Sequence, residues 1–502
     1  EIREVLKRIE CCAVFADEDA EAVALHVEDG ARRRVRTVQG NGEMHRGKDL
    51  AEKFLSCCCH LVGEWEELRI GTLTAFPHLI ACALALVGRT LASLAPLVLS
   101  LIAAACATLA ISPTRGVVPP LAVAAALTGR ARVLMWEMSQ PGGKQTVELR
   151  VQGMERIVRR YPAKGDRFTD GGIEVYQYGA ELDQLTPGTH YQYRITAGDA
   201  ASDWQELYAP TVNESYKMLI FPDSQSSDYA DWQQMAHLAW ARNTDAQLFT
   251  CMGDLVDNGE DRLQWTEFFV GVKEMQRSIP VAPVMGNHET YNRDWKVRLP
   301  EAYLHYFDTP KNGSKEFDRY YYSFDYGDVH YIVLCTQQKE IDAFKSGLLA
   351  EQLAWMRRDL KAHRRRWNVV LMHKDVLQYR INGRPEREEG IDEENGRVWM
   401  PVFDELAIDV VFTAHLHTYR NRGHIYGFDK TADKKGPLYI LTGVAGNVRY
   451  PNLWIDHAFD EVTLPQPETD NYLTMEVTRD ALEIACFLPD GTEMDRVRVT
   501  KR

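Results

Sequence analysis

Five apolar runs far apart in the chain close on side chains able to hold a metal ion. They are KMLIFPD at Asp223, QLFTCMGD at Asp254, VAPVMGNHE at Asn287, His288 and Glu289, NVVLMHKD at His373, and VVFTAHLH at His415 and His417. Carboxylate, amide and imidazole donors with no thiolate suit Mn, Fe or Zn better than copper(I) or an iron–sulfur cluster. Two such ions about 4 Å apart can hold phosphate oxygens and lower the pKa of a bound water from about 15.7 towards about 7. Taken singly, several of these residues have a plain structural explanation: an Asp after a strand caps the next helix, and a buried His is more often a hydrogen-bonded core residue than a ligand. The pair His415 and His417 is harder to explain that way. Two positions apart on an extended strand, both imidazoles face one side while Leu416 faces the other. Gly286-Asn287-His288-Glu289 likewise sets an amide, an imidazole and a carboxylate on one turn.

These donors need a scaffold that gathers strand ends. After Tyr216 the pattern is strand, loop, helix, and in such folds sites form at the carboxyl ends of strands. Asp231 to Arg242 and Leu263 to Arg277 carry apolar residues at helical spacing, as helices packed on a sheet should. The expected architecture is α/β, a four-layer sandwich of two mixed sheets flanked by helices over residues 213–502. Between 116 and 212 the rhythm changes to short alternating strands separated by Gly, Pro and Asp turns, which predicts an all-β sandwich. Its segment Leu185 to Arg194 looks like the tyrosine corner of fibronectin type III-like domains, with Trp136 and Tyr193 as core or corner residues.

The chain of 502 residues is long enough for about three domains. With 45% apolar and 26% charged residues it is a folding globular composition, not a low-complexity one. A net charge of -14 disfavours general nucleic-acid binding, and the short basic runs Arg32 to Arg34 and Arg364 to Arg366 read as solvated faces. The ten cysteines do not outline a disulfide framework; Cys251, Cys335 and Cys486 sit in apolar runs, as buried thiols do. Residues 71–112 form an apolar segment whose uncharged part, Leu91 to Ile111, is long enough to cross a bilayer. Arg89, then Leu, Val and Ile, then small residues give it the layout of an export signal, and it is a route to membrane association. Residues 1–70 are too many for the leader of such a signal. Either translation begins near Val87 or a cytoplasmic segment precedes membrane helices, and both readings place the remainder outside the cytoplasm.

From about Gly116 onward the chain resembles the calcineurin-like metallophosphoesterase superfamily, in its purple acid phosphatase-like branch with a fibronectin type III-like domain in front. The resemblance rests on Asp223-Ser224-Gln225, Gly253-Asp254-Leu255-Val256-Asp257, Gly286-Asn287-His288-Glu289, His373 and His415-Leu416-His417-Thr418-Tyr419-Arg420, in family order. It implies a first metal held by Asp223 and His417, a bridging Asp254, and a second metal completed by Asn287, His373 and His415. His288 would contact the phosphate and assist the leaving group, with Glu289 orienting its ring. Three departures stand out. Gln225 occupies a position that is His in many relatives, and is expected to donate its amide oxygen, hold a water or simply line the pocket. Asp257, expected to accept a hydrogen bond behind the ligands, stands where purple acid phosphatases have a metal-binding tyrosine, so no purple iron colour is expected. Ala414 replaces the usual Gly. In the stretch Thr290 to Tyr320, Arg293, Arg298 and Tyr303 are either phosphate contacts or ordinary loop residues.

The resulting expectation is an extracytoplasmic metal-dependent phosphatase. It would carry two metal ions (Fe, Mn or Zn), and a metal-bridged hydroxide would attack the ester of a phosphorylated small molecule or polymer. A phosphodiesterase or nucleotide hydrolase on the same site is the alternative within the chemistry, and a non-catalytic surface binding module with a degenerate first metal site is the alternative outside it.

Overall fold

Alternation of buried and exposed side chains along residues 132–211 builds two facing antiparallel sheets. The computed structural model describes residues 132–211, 215–464 and 469–501, and the backbone of four earlier strands, Val14–Phe15, Ala22–Asp29, Arg32–Gln39 and Leu121–Val123. The first three of these pair among themselves as an antiparallel sheet within the unit Glu1–Thr114. The apolar segment 71–112 lies outside the described residues, among which no helix is long and apolar enough to cross a membrane.

In the unit Arg115–Arg502, one sheet of the sandwich runs Leu121–Val123, Arg132–Met138, Ile173–Leu182, Lys164–Asp170. The other runs Ala200–Ala201, Thr189–Ala197, Gln145–Val151, Ile157–Pro162, with Gln205–Ala209 also paired to Thr189–Ala197. Trp136, Val147, Leu149, Leu182, Tyr193 and Ile195 fill the space between them. Trp136 is fully buried, and its indole donates to Gln145 Oε1 at 2.6 Å. At the corner, the Thr186 N–H donates to the Tyr191 hydroxyl at 3.0 Å, locking the turn five residues upstream. Tyr193 does something else: its hydroxyl leaves the sandwich and donates to the Arg277 carbonyl at 3.0 Å.

The rest of the chain is built on two mixed sheets. A six-stranded sheet has the order Val281–Pro283, Leu248–Cys251, Tyr216–Phe221, Tyr472–Val477, Ala481–Phe487, Glu493–Thr500; its first three strands are parallel and the others antiparallel. In the eight-stranded sheet a parallel centre, Val329–Leu334, Trp367–Met372, Val410–Thr413 and Leu438–Thr442, is flanked by antiparallel strands Tyr322–Tyr326 and Tyr419–Tyr426. Strands buried on both faces read as continuous apolar runs, and these do. Met218, Ile220, Val333, Leu371, Phe412, Ile440 and Leu473 pack between the sheets. The outer faces are covered by helices Ala230–Arg242, Arg262–Val272, Leu348–His363 and Gly396–Glu405 through Trp232, Phe268, Met356 and Phe403. Trp232 stacks on Phe268 at 5.5 Å, joining the first two helices, and Asp261 caps the second by accepting from the Leu263 and Gln264 N–H groups.

The sandwich is tied to the α/β part by buried charge. Glu137 pairs with Arg262 and accepts from the Tyr306 hydroxyl, and Asp170 lies 2.8 Å from Arg298. Arg298 is therefore a structural residue, and Tyr303 is one too, being buried with its hydroxyl donated to the Pro283 carbonyl at 3.0 Å. Arg293 lies 3.5 Å from Asp261. Each of the three thus answers a carboxylate or a carbonyl within the fold.

His330, on a central strand, is clamped between Asp325 Oδ1 at 2.7 Å and Asp359 Oδ2 at 2.9 Å. Burial opposes its positive charge, but the two carboxylates prevail and raise it above the ordinary imidazole range. A raised folded-state value stabilises the fold fully below the unfolded pKa of about 6.5, and that contribution is lost as pH climbs through the folded value. His330→Asn should therefore cost on the order of 3 kcal/mol at pH 6 and distinctly less at pH 9, read from denaturant melts at the two pH values.

Candidate metal centre

Asp223, Asp254, Asn287, His373, His415 and His417 all sit on loops just past the carboxyl ends of strands. The two sheets meet here. Asp223 bridges in parallel to Val444, and its carbonyl accepts the Ala445 and Gly446 N–H groups at 2.8 and 3.0 Å. The loops approach so closely that glycine is required at two places. A Cβ on Gly253, whose φ is +96°, would lie 2.5 Å from His373 Nδ1, and one on Gly286 would collide with the Asp254 backbone nitrogen and carboxylate.

One expectation is corrected by the backbone. His415 and His417 are not on an extended strand, since the strand ends at Thr413; both take left-handed conformations, with φ of +77° and +54°. Asp254 is left-handed as well, at +49°. Such backbone is costly for non-glycine residues and persists where surrounding structure enforces it. Here the Ala414 N–H donates to the His373 carbonyl at 2.8 Å and the His415 N–H to Asp223 Oδ1 at 3.0 Å, which turns both rings inward. The Ala414 methyl is accommodated in the core between the sheets.

Two of the three rings are held by one nitrogen and turn the other towards the centre. His373 Nδ1 faces the Met252 carbonyl at 2.9 Å and His417 Nδ1 the Val448 carbonyl at 2.5 Å. A carbonyl only accepts, so these nitrogens carry protons, and Nε2 is the ring atom turned towards the carboxylates. His373 Nε2 lies 3.0 Å from Asp254 Oδ2, 3.2 Å from Asn287 Oδ1 and 3.2 Å from His415 Nδ1. His417 Nε2 lies 3.3 Å from Asp223 Oδ2 and 3.4 Å from Gln225 Nε2. Asp223 Oδ2 and Gln225 Oε1 are buried with no hydrogen-bond donor. Ligand atoms of Asp254, His373 and His415 fall within 4.8 Å of one another, as do those of Asp223, Asp254 and His417, so Asp254 is common to both groups. Buried acceptors converging without donors are stable only around positive charge.

Electrostatics follows the same demand. Burial works against ionising Asp254, yet His373, His288 and His415 hold its carboxyl well below the usual range. Burial likewise opposes a charged His373, but Asp254 and Asp223 push it up to about 9. Burial and the neighbouring His373 push His415 down to about 3. His417 is raised against its burial by Asp223.

His288 lies beside this cluster with its N–H donated to Asp254 Oδ1 at 2.9 Å. Its ring is not oriented by Glu289. That carboxylate instead accepts the N–H groups of Asp254, Leu255 and Gly286 at 3.0, 2.8 and 2.7 Å, organising the two metal-side loops. Burial and the Asp254 charge push Glu289 up to about 8, against the pull of those amides. The His288 ring is positioned by the Asp257 main-chain carbonyl, 2.8 Å from Nδ1, while the Asp257 carboxylate is 3.8 Å away. The expected role of the Asp257 side chain thus falls to its backbone. Three aromatic residues beside the centre were not singled out from sequence: Tyr291 and Trp295 next to His288, and Tyr450, whose ring lies 4.8 Å from that of His417.

Residues 200–419 match the family model described as calcineurin-like phosphoesterase. The chain carries a calcineurin-like phosphoesterase domain. Its relatives include purple acid phosphatase 21 of Arabidopsis thaliana, 26% identical over 314 residues, which cover 57% of this chain and 64% of that protein. Phosphoenolpyruvate phosphatase of Allium cepa is 27% identical over 351 residues, 64% of this chain and 67% of that one. The chain spans only 38% and 36% of the length of two further Arabidopsis relatives, purple acid phosphatases 23 and 15. The chain shares its fold with a purple acid phosphatase from yellow lupin seeds, at a TM-score of 0.63 and 16% identity, covering 76% of this chain and 74% of that one.

Glu289→Gln keeps the size of the side chain but turns an amide NH₂ towards backbone donors. It should lower unfolding stability by about 1–3 kcal/mol and reduce the metal retained after gel filtration, as checked by denaturation and elemental analysis.

Proposed function

We propose that this chain is a metal-dependent phosphatase that hydrolyses phosphate monoesters at a dinuclear centre. The observation that carries the reading is the convergence of carboxylate and imidazole atoms on both sides of Asp254, with Asp223 Oδ2 and Gln225 Oε1 buried and without a donor. Asp223, His417 and the Gln225 amide oxygen would hold one ion, Asn287, His373 and His415 the other, and Asp254 both. Oxygen and nitrogen donors of this kind favour Mn, Fe or Zn. Bound there, two such ions supply positive charge that neutralises phosphoryl oxygens and acidifies water.

The chain's own residues do the rest. His288, fixed through Nδ1 by the Asp257 carbonyl, aims Nε2 along the side of Asp254, 3.9 Å from Oδ2. From there it meets the phosphoryl group and passes a proton to the departing oxygen. The bond from phosphorus to the ester oxygen breaks as a bond to the water oxygen forms, giving an alcohol or phenol and inorganic phosphate. Glu289 holds the Asp254 and Gly286 loops so that ligands and His288 keep their spacing through turnover. The uncharged stretch Leu91 to Ile111 supports an extracytoplasmic setting for this activity.

His288→Ala should lower kcat by about 10²–10⁴-fold while the protein still holds close to two metal equivalents, measured by aryl phosphate hydrolysis alongside elemental analysis. Full activity in that variant would remove His288 from the mechanism. Exhaustive chelation should abolish hydrolysis, and Mn, Fe or Zn should restore it; turnover that survives chelation would overturn the metal reading. An aryl phosphodiester assayed in parallel should be the poorer substrate.

A further inference from the structure

Beside His288 the surface is aromatic where a phosphate-binding rim would be expected to be basic. Trp295 is 57% exposed, and its ring stands perpendicular to that of His288 at 5.7 Å. Tyr291 meets the same imidazole at 5.3 Å and the indole at 6.2 Å. An exposed indole is ordinarily carried on a mobile loop, but the backbone that carries this one is held in place. Its backbone is left-handed, with φ of +60°. The turn is pinned by Asn292: its carbonyl accepts the Trp295 N–H at 3.0 Å and the Asn258 side-chain amide at 3.0 Å. Its side-chain oxygen accepts the N–H groups of Asp294 and Lys296 at 3.0 and 2.8 Å. The Asn258 loop is the one that carries Asp257, so indole and imidazole are positioned from the same stretch of backbone. The neighbouring cations each have an acidic neighbour, Asp261 at 3.5 Å from Arg293 and Asp294 at 3.9 Å from Lys296.

An exposed aromatic side chain on a pinned, left-handed backbone beside a proton-transfer residue has the properties of a stacking platform. We propose that Trp295, backed by Tyr291, selects substrates whose ester oxygen carries an aromatic ring directly, that is, phenolic phosphate monoesters. This rests on the phosphatase reading, because it takes the His288 side of the centre as the side of the leaving group. A ring on the ester oxygen lies next to the imidazole that protonates that oxygen, and so within reach of the indole face or edge. An alkyl leaving group finds no partner there.

The test compares benzylphosphonate with ethylphosphonate, in which a methylene replaces the ester oxygen, by calorimetric titration of the full chain loaded with Mn. The benzyl compound should bind about tenfold more tightly. Trp295→Ala should bring the ratio of the two affinities close to one, and Trp295→Phe should retain most of it. Equal affinities in the unmodified protein, or a ratio that survives Trp295→Ala, would overturn the inference while leaving the phosphate site intact. Failure of both phosphonates to bind would instead remove the phosphate site, and the inference with it.

Discussion

Two carboxylates are buried here at the point where two sheets meet, and imidazole rings are the side chains turned towards them. Asp223 and Asp254 are almost wholly removed from water, and His373 and His417 turn Nε2 towards them because backbone carbonyls have claimed Nδ1. Left alone, such an arrangement is expensive. Much of the architecture can be understood as holding it in place: two sheets that meet end to edge at Asp223 and Val444, glycines that let the loops close, and a carboxylate, Glu289, devoted to three backbone amides.

A layer behind the ligands reinforces them. Asp375, two residues after His373, forms a bidentate pair with the buried Arg422 at 2.7 and 2.5 Å and accepts the Thr413 hydroxyl at 2.8 Å. The Arg422 guanidinium also bonds the Tyr379 hydroxyl, which in turn donates to Asp460 at 2.7 Å. Thus the strand that delivers His415, the strand that follows His417 and the loop after His373 share one network of buried charge. With every member partnered, such a network rigidifies its surroundings, and rigidity is what ligand loops with left-handed backbone require.

The donors were legible in the sequence because each lies where an apolar strand gives way to a polar residue, a local and one-dimensional signal. The two mixed sheets followed from the same runs. What could not be read was carried by backbone atoms. The carbonyls of Met252, Val448 and Asp257 that set the imidazole orientations leave no mark on residue identity, which is why Glu289 was first assigned the task that the Asp257 carbonyl performs. The conformations of His415 and His417 were missed for a related reason, since alternation in sequence looks the same whether a strand continues or turns. The strand Lys164–Asp170 is largely exposed and polar, with no apolar alternation to mark it in the sequence. Trp295 and Tyr450 gave no signal either, as aromatic residues in loops carry no period.

The β-sandwich does more than precede the phosphoesterase domain. Its hairpin ends in Asp170, which grips Arg298 a few residues beyond Trp295, and Tyr193 reaches out of its core to the end of a helix region at Arg277. Gly171 packs so near the Glu260 carbonyl that a Cβ there would come within 2.9 Å. The approach to the centre is therefore shaped by two modules at once, and changes in that hairpin would retune the entrance without touching a single ligand. Anyone shuffling this half of the protein onto another scaffold inherits a wall with a missing brick unless the hairpin travels with it.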